Sequence, residues 1–437
     1  MKAEDSQSIL VRPVFKRKKQ SDGFPQIRDS YATTYIVITT LIMAYSGLFG
    51  AAPILVLYAI WFSHIKYKGT LTLRMTPDVF PALAYGALCV ISTLWSDRPE
   101  LSGKSSLEFL TMIICTVVIA RTVRLDDFIK GSVIGLFLVL LVPFRSGHYS
   151  IDGLFGSKNV VGSFSEIGFF MTLIYLFATK GRAKRLIFCA VPLTLFAACL
   201  VYSKSATSYA SLAGTLAIST VAYFLGKLPA SSRMPMLIMT VFAVAMLAIA
   251  GFSYGWQDTG LNALGKDSSL TGRTFLWAQG IGFTLAHNPI VGVGYGAFWI
   301  PGRPLAEELW YKFDIFDRSG FHFHNLFINT FVELGICGLL LTVYLYIKTT
   351  AMSFRFLVNQ GASNASIFFI GFSIMFVLRA MAEIDTNGPF GMGPLLFFSI
   401  MPRITEWGKK PAIEARPEPL NSLPRRAQQP HIRMRKP

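Results

Sequence analysis

Basic and imidazole side chains gather next to one long apolar segment of the chain. Arg273 and Trp277 are four residues apart, so on a helix they share one face. His322 and His324 stand just before the apolar segment, and Asn325 follows them. An arginine binds phosphate groups through charge-assisted hydrogen bonds. A histidine near neutral pH can either accept a proton from a hydroxyl group or bind a phosphate, and both roles stay open for His324.

Three further cations are predicted on the same side of the protein: Lys158, Lys204 and Arg379. Lys204 stands between two serines and has no acidic residue near it in sequence. We therefore expect it to balance the charge of a diphosphate at the membrane surface rather than to form an ion pair. Arg303 and Arg318 have acidic neighbours, and ion pairs within their own loop are expected for both. The candidate acids are Glu307, Glu308, Asp314 and Asp317.

One carboxylate is predicted deep inside an apolar segment. Glu333 follows His324 by nine residues, and the residues between them are mostly apolar. An ionisable side chain in the middle of a membrane helix costs about 2.5–3.5 kcal/mol on insertion scales. Glu333 is therefore expected to face a cavity or a partner, and Arg379 is a candidate partner.

The sequence does not indicate a metal or a cofactor. Two histidines that are two residues apart point to different faces of a helix, which argues against a metal site built from His322 and His324. Asp314 and Asp317 are three residues apart and could approach a metal, but this is the weaker interpretation. The glycine-rich run at Gly292 does not follow a strand in a βαβ unit, so a dinucleotide site is not expected. The five cysteines form no CxxC pair.

The composition predicts that membrane helices position these side chains. The chain has 437 residues, of which 52% are apolar and 15% are charged, whereas soluble proteins carry about 25% charged residues. A membrane-spanning helix needs about 20 residues. We predict twelve spans, at about 31–49, 51–65, 79–96, 106–121, 127–144, 159–178, 185–202, 206–226, 235–255, 324–347, 362–384 and 389–403.

The basic residues predict the orientation of these spans. The net charge is +17, and most of the 41 Lys and Arg residues fall on the inner side when the N-terminus is placed in the cytoplasm. The positive charge is thus a topology signal and a surface for anionic lipids, and no motif for nucleic-acid binding accompanies it. The predicted organisation is a basic cytoplasmic tail (1–30), nine transmembrane helices (31–255), a large helical periplasmic loop (256–322), three transmembrane helices (323–403) and a disordered basic cytoplasmic tail (404–437).

The predicted periplasmic loop is a folded unit and not a linker. It is rich in aromatic residues, which linkers avoid. Residues 268–287 are predicted to form a helix, with Ser268 or Ser269 as its cap and Asn288-Pro289 at its end. Because the periplasm lacks nucleotides, chemistry on this side needs a substrate that is already activated.

Two stretches of this region resemble a known family. They run TGRTFLWAQGIGFTLAHNPIVGVGYGAFW and GFHFHNLFINTFVELGICG, and their order resembles the O-antigen ligase and Wzy polymerase superfamily. The matching positions are Arg273, Trp277, Pro289, Gly292, Gly294, His324, Asn325, Glu333 and Gly335. Residues Ala306 to Trp310 and the double histidine are similar to the ExoQ-like branch, which makes exopolysaccharide.

The resemblance implies an all-α inner-membrane glycosyltransferase that works without a metal or cofactor. Its donor would be an undecaprenyl-diphosphate-linked oligosaccharide, with the diphosphate as leaving group, and the active site would face the periplasm. Arg273 and His324 match the family's loop arginine and histidine and are the expected catalytic residues. The expected substrate-binding residues are Lys204, Lys158, Arg379, Trp277, Asn325 and Glu333. Lys204 stands where the family tends to carry arginine, and it lacks the two-pronged geometry of that side chain.

Three functions remain open from the sequence. The first is a polysaccharide polymerase that joins repeat units for exopolysaccharide or O-antigen synthesis. The second is an O-antigen ligase that transfers finished glycan to a lipid core, and the third is a transporter of lipid-linked glycan. Transporters usually contain internal repeats, and none is visible between the two halves of this chain. Trp277, Trp299 and Trp310 would stack on sugar rings or anchor the protein at the interface. Relatives commonly work beside a chain-length regulator, which is an expected partner.

Overall fold

The part of the chain that the structure describes is mainly α-helical, as the sequence predicts. The computed structural model describes residues 26–146, 155, 157–177, 182–253, 272–318 and 320–408. In chain order the helices are α1 (Asp29–Phe49), α2 (Ala51–Phe62), α3 (Phe80–Ile91), α4 (Pro99–Thr122), α5 (Leu125–Ser146), α6 (Lys158–Leu176), α7 (Arg182–Ser203), α8 (Ala206–Lys227), α9 (Ala230–Ser253), α10 (Arg273–His287), α11 (Pro304–Lys312), α12 (Leu326–Gln360), α13 (Asn364–Ala380) and α14 (Met392–Gly408). A 3₁₀ turn, Ser92–Leu94, extends α3.

Each of the twelve predicted spans falls on one of these helices. Within the described residues, six helices are long and apolar enough to cross a membrane, and three shorter apolar helices accompany them. The six are Pro99–Thr122, Lys158–Leu176, Ala183–Ser203, Ala206–Lys227, Ala230–Leu247 and Leu326–Gln360. The chain is therefore a multi-pass membrane protein, while the number of twelve spans and their orientation stay predictions.

The loop between α2 and α3 contains a small β-hairpin that the sequence analysis did not predict. The strands Lys66–Tyr67 and Thr70–Leu71 form a two-residue antiparallel hairpin. Its turn uses Lys68 and Gly69, both with positive φ. Strands this short carry too few residues for a period-two pattern to be visible.

The longest helix is interrupted where it meets the glycine-rich loop. Within α12, Gly335 has φ 61° and ψ −161°, which breaks the helical path. The interruption frees backbone groups, and the loop pairs with them: Gly294 N donates to Glu333 O at 2.8 Å, and Ile336 N donates to Pro289 O at 2.9 Å. A Cβ atom on Gly335 would lie 2.3 Å from the backbone of Ile290. Glycine is thus required by both the positive φ and the close approach.

The predicted periplasmic loop shares an apolar core with the start of α12. Leu276, Phe298, Leu309, Trp310 and Phe323 are buried together in it. Trp310 is buried in this core, so its indole is not available to stack on a sugar, whereas Trp299 is half-buried and packs against the core. Their aromatic rings hold the loop together.

Helix α10 begins later than the predicted helix at 268–287. We predicted a start near Ser268, whereas α10 begins at Arg273, because Gly272 adopts a left-handed conformation with φ 83° that a helix does not continue through. The predicted end at His287 is confirmed. Ser268 and Ser269, together with most of the two predicted cytoplasmic tails, lie outside the described residues.

Candidate active site

A buried carboxylate, Glu383, lies at the centre of the candidate site. It follows α13, and its side chain is 5% exposed. Asn159 Nδ2 donates to Oε1 at 2.7 Å, and Arg273 lies 3.7 Å from the same oxygen. His322 and His324 approach Oε2 at 3.6 and 3.5 Å. The two histidines and Arg273, which the sequence separates by 49 residues or more, therefore meet at a carboxylate that sequence analysis did not assign to the site.

The hydrogen bonds of His322 fix which of its nitrogens carries the proton. His324 N donates to His322 Nδ1 at 3.0 Å, so neutral His322 carries its proton on Nε2, towards Glu383. Burial, with help from the charges of His324 and Arg273, lowers the pKa of His322 to about 3. His322 is therefore neutral near pH 7 and presents an N–H to Glu383.

The same carboxylate orients the second histidine. Nδ1 of His324 faces Glu383 Oε2, which favours the tautomer with the proton on Nδ1 and leaves Nε2 free to accept a proton. The distance of 3.5 Å is longer than an ordinary hydrogen bond, as is common in catalytic sites without substrate. His324 itself has a left-handed backbone with φ 49°, which the hydrogen bond to His322 supports.

Glu383 stays charged in this environment. Arg273 lies beside the carboxylate, Asn159 donates to it and both imidazoles face it, and these groups favour its charged form. Burial lowers the pKa of Arg273, and the charge of Glu383 opposes that shift. A carboxylate and a guanidinium thus sit side by side at the site.

The double-histidine segment also corrects one argument of the sequence analysis. We assumed a helix there and expected the two side chains to diverge, but residues 321–325 are not helical and the imidazole rings lie 4.2 Å apart. The ligand atoms of His322, His324 and Glu383 lie within 4.8 Å of one another, close enough to hold a metal ion. However, the Nδ1 lone pair of His322 is taken by the His324 amide. Its Nε2 then carries a proton, and a protonated nitrogen is not a metal ligand.

Four helices begin at this site. Ser157 caps α6, Ser205 caps α8 and Asn325 caps α12, each through a side-chain oxygen that accepts from the backbone. The fourth helix, α10, begins at Arg273. Asn159 joins two of these ends, because Ser205 Oγ donates to Asn159 Oδ1 at 3.0 Å while Asn159 Nδ2 donates to Glu383. Helix N-termini carry partial positive charge, so their convergence favours an anion.

Two exposed lysines border this group of helix ends. Lys158 is the first residue of α6 and directly precedes Asn159. Lys204 is exposed in the turn between α7 and α8, with φ 48°, and is flanked by the buried Ser203 and Ser205. Across the described ranges neither lysine has an acidic partner.

Arg379 lies apart from that surface, contrary to the expectation that it binds substrate at the membrane face. Its side chain is 1% exposed and contacts Glu166 at 2.9 Å, Ser208 at 3.1 Å and Asp385. These contacts tie α13 to α6 and α8. The role of Arg379 in this structure is to support the site.

Glu333 does not pair with Arg379, whose acidic partners are Glu166 and Asp385. It is 6% exposed and is surrounded by Asn329, Asn387 and the Gly296 amide. These groups belong to α12, the loop before α14 and the glycine-rich loop. Glu333 thus joins three elements beneath the site.

Trp277 and Asn325 position the double-histidine segment. Trp277 Nε1 donates to Phe323 O at 2.8 Å. Asn325 Oδ1 accepts from the amides of Phe327 and Ile328, and its Nδ2 donates to Met381 O at 3.4 Å. The shared face predicted for Arg273 and Trp277 is confirmed, since both point from α10 towards the segment around the histidines and Glu383.

The expected ion pairs of the loop arginines form, one of them with a different partner. Arg318 pairs with Glu307 at 2.9 Å, as predicted. Arg303 pairs with Asp97 at 2.6 Å, which lies before α4 and not in the same loop. The sequence did not indicate this pair because its two residues are 206 positions apart.

Comparison with known proteins decides the family. A family model described as O-antigen ligase matches residues 190–343. The chain is 30% identical over 391 residues to the exopolysaccharide production protein ExoQ of Rhizobium meliloti (strain 1021), covering 87% of this chain and 89% of that protein. The chain belongs to the O-antigen ligase and Wzy polymerase superfamily. Within it, the chain is ExoQ-like.

The sequence analysis did not assign four residues of the candidate site, and the resemblance to the superfamily did not reveal them either. These residues are Asn159, Ser205, His322 and Glu383. For two of them the sequence contains a feature that could have indicated the role. Asn159 follows the exposed Lys158 at a predicted helix start, and Glu383 is an acid at the end of a predicted span. The sequence around Ser205 does not indicate its role, because its partner Asn159 is 46 residues away. The tautomer of His322 depends on the backbone amide of His324, which residue types do not indicate.

Proposed function

We propose that this membrane protein is a polysaccharide polymerase that joins undecaprenyl-diphosphate-linked repeat units at the periplasmic face. Its family and its likeness to ExoQ support a role in polysaccharide polymerisation or ligation. One observation carries the finer proposal: Arg273, Lys158, Lys204 and four helix N-termini surround a carboxylate that orients His324. Fixed positive charge of this kind stabilises a departing diphosphate.

The proposed transfer moves one sugar-bearing group between two lipid-linked glycans. The oxygen of the acceptor hydroxyl attacks the anomeric carbon of the donor sugar, and the bond between that carbon and the diphosphate oxygen breaks. The electron pair of the broken bond leaves with the diphosphate, whose charge Arg273 and Lys204 balance. The hydroxyl proton passes to Nε2 of His324, and Glu383 stabilises the imidazolium that forms.

The proposed chemistry needs no metal ion. His322 already uses Nδ1 to accept a backbone hydrogen bond, and Glu383 faces Arg273 as well as the histidines. A divalent cation at the same carboxylate would be repelled by that guanidinium. Full activity after treatment with a chelator supports this part of the proposal, and restoration of lost activity by one divalent metal contradicts it.

The second candidate function is ligation, which the description of the matching family model favours. The two functions are separated in a strain from which the protein is deleted. Single lipid-linked repeat units accumulate if the protein polymerises, and unattached long chains accumulate if it ligates. We expect single units, and complementation with the unsubstituted protein restores long polymer.

A further inference from the structure

A cavity of about 320 Å³ opens beside the candidate active site. Its wall is formed by the ends of α1 and α6 and by the segment between α13 and α14. Two of its lining residues stand close in sequence to residues of the candidate active site. Asp385 of the wall lies two residues after Glu383, so their Cα atoms are at most about 7.6 Å apart, and Val160 of the wall follows Asn159.

The cavity combines an aromatic wall with polar side chains that, among the described residues, keep hydrogen-bonding capacity unused. Phe155 and Phe164 pack edge to face, with ring centroids 5.6 Å apart. Asp385 gives Oδ2 to Arg379, while its Oδ1 accepts no hydrogen bond from the described residues. The hydroxyl groups of Ser46 and Ser163 also line the cavity and, within the same ranges, make no hydrogen bond.

We propose that this cavity is the subsite for the acceptor sugar, an inference that rests on the proposed transferase function. A sugar ring has apolar C–H faces and polar hydroxyl edges, which suit a phenylalanine wall and a carboxylate with two serines. A volume of about 320 Å³ is at the small end of ligand sites and holds roughly one or two sugar rings. The cavity adjoins the site through Asp385, two residues from Glu383, and through Val160, next to Asn159, so a sugar bound in it lies close to these site residues.

Two other parts of the substrates fit this cavity poorly. The donor diphosphate is repelled by the charge of Asp385, whereas Lys158 and Lys204 offer it cations nearby. A polyprenyl chain would bury the Asp385 carboxylate and the hydroxyls of Ser46 and Ser163 without hydrogen bonds, which is costly. Hydroxyl groups of a sugar satisfy all three.

The test uses the full-length protein in lipid nanodiscs and a soluble oligosaccharide cut from the polymer that the cell makes. Ser163→Phe and Ser46→Phe fill the cavity from two different helices, and Ser163→Ala removes one hydroxyl without adding volume. Ser63→Phe is the matched control, because Ser63 is exposed at the end of α2. Oligosaccharide binding is measured by calorimetry, and the transfer rate is measured against acceptor and donor concentration separately.

We expect each filled variant to bind the oligosaccharide at least 10-fold more weakly and to raise the acceptor KM by the same factor, with the donor KM unchanged. Ser163→Ala should weaken binding about 2- to 10-fold, as expected for one hydrogen bond, and it decides the question if both filled variants fail to fold. Unchanged acceptor binding, or a rise in the donor KM alone, overturns the inference. If the unsubstituted protein binds the oligosaccharide in this cavity but transfers nothing, the proposed function fails and the subsite stands.

Discussion

Glu383 is the residue at which the support of the site and its chemistry meet. It receives Asn159 from α6, faces Arg273 from α10 and faces both histidines of the segment before α12. Burying a carboxylate without partners costs free energy. Here the partners that offset this cost include Arg273 and His324, the side chains proposed to act on the substrate. The histidines and the arginine that would act on substrate are thus held in position by a single charge.

Replacing Glu383 by glutamine tests this role, since the change keeps the shape of the side chain and removes its charge. We expect the glycan transfer rate to fall by about 100-fold or more, because His324 loses the carboxylate that sets its tautomer and stabilises its charged form. Glu307→Gln is the matched control, because Glu307 pairs with Arg318 at the surface. Equal rates in the two variants would contradict the assignment.

His322 should make the stability of the protein depend on pH. Its pKa is about 3 in the folded protein and about 6.5 in an unfolded chain, so the unfolded state binds more protons between these values. Stability is then fully present above about pH 6.5 and is lost as the pH falls towards 3. The measurement is the melting temperature of the purified protein from pH 7 to pH 5.

The substitution His322→Gln should flatten this pH dependence. His287→Gln serves as its control, because His287 is exposed at the end of α10 and should leave the curve unchanged. A pH dependence that is as steep in His322→Gln as in the unsubstituted protein would show that His322 is not the group responsible.

At the scale of elements, the site depends on the contact between the glycine-rich loop and the broken helix α12. Gly335→Ala should destabilise the protein by about 1–3 kcal/mol or more, because alanine is strained at φ 61° and its Cβ would meet the backbone of Ile290 at 2.3 Å. Gly282→Ala in α10 meets nothing within 4 Å and should be neutral or stabilising by up to about 1 kcal/mol. Thermal unfolding of both variants checks the difference.

The elements were more predictable from sequence than their contacts. Apolar runs marked the six described helices that are long enough to cross a membrane, because a helix in lipid must be apolar over most of its length. Two sets of ion pairs could not be predicted, since they depend on how the helices pack. These are Arg303 with Asp97, and buried Arg379 with Glu166 and Asp385. The candidate site followed the same rule: Arg273 and His324 were identified by motif, and Glu383, which joins them, was not.

For the whole molecule, positive charge is concentrated at the end of the helix bundle that holds the candidate site. The N-termini of α6, α8, α10 and α12 lie at the candidate site, with Lys158 and Lys204 exposed beside them. In the predicted orientation these lysines lie on the periplasmic side, against the usual distribution of basic residues. An anionic substrate on that side gives these cations a function.

The orientation that this requires is open to chemical labelling. In a variant without the native cysteines, a cysteine in place of Tyr311, which is 79% exposed, should react with a membrane-impermeant maleimide in intact spheroplasts. A cysteine in place of Ser63, which is predicted to face the cytoplasm, should react only after lysis. The reverse pattern would place the candidate site in the cytoplasm.

Elongation of lipid-linked glycan by the purified protein tests the central claim most directly. The protein in nanodiscs, supplied with lipid-diphosphate-linked repeat units, should form longer glycans and release free lipid diphosphate. Arg273→Ala and His324→Ala should each slow this reaction by about 100-fold or more, while Arg318→Ala, which breaks only a surface ion pair, should not. Normal elongation by both site variants, or none by the unsubstituted protein, would contradict the account.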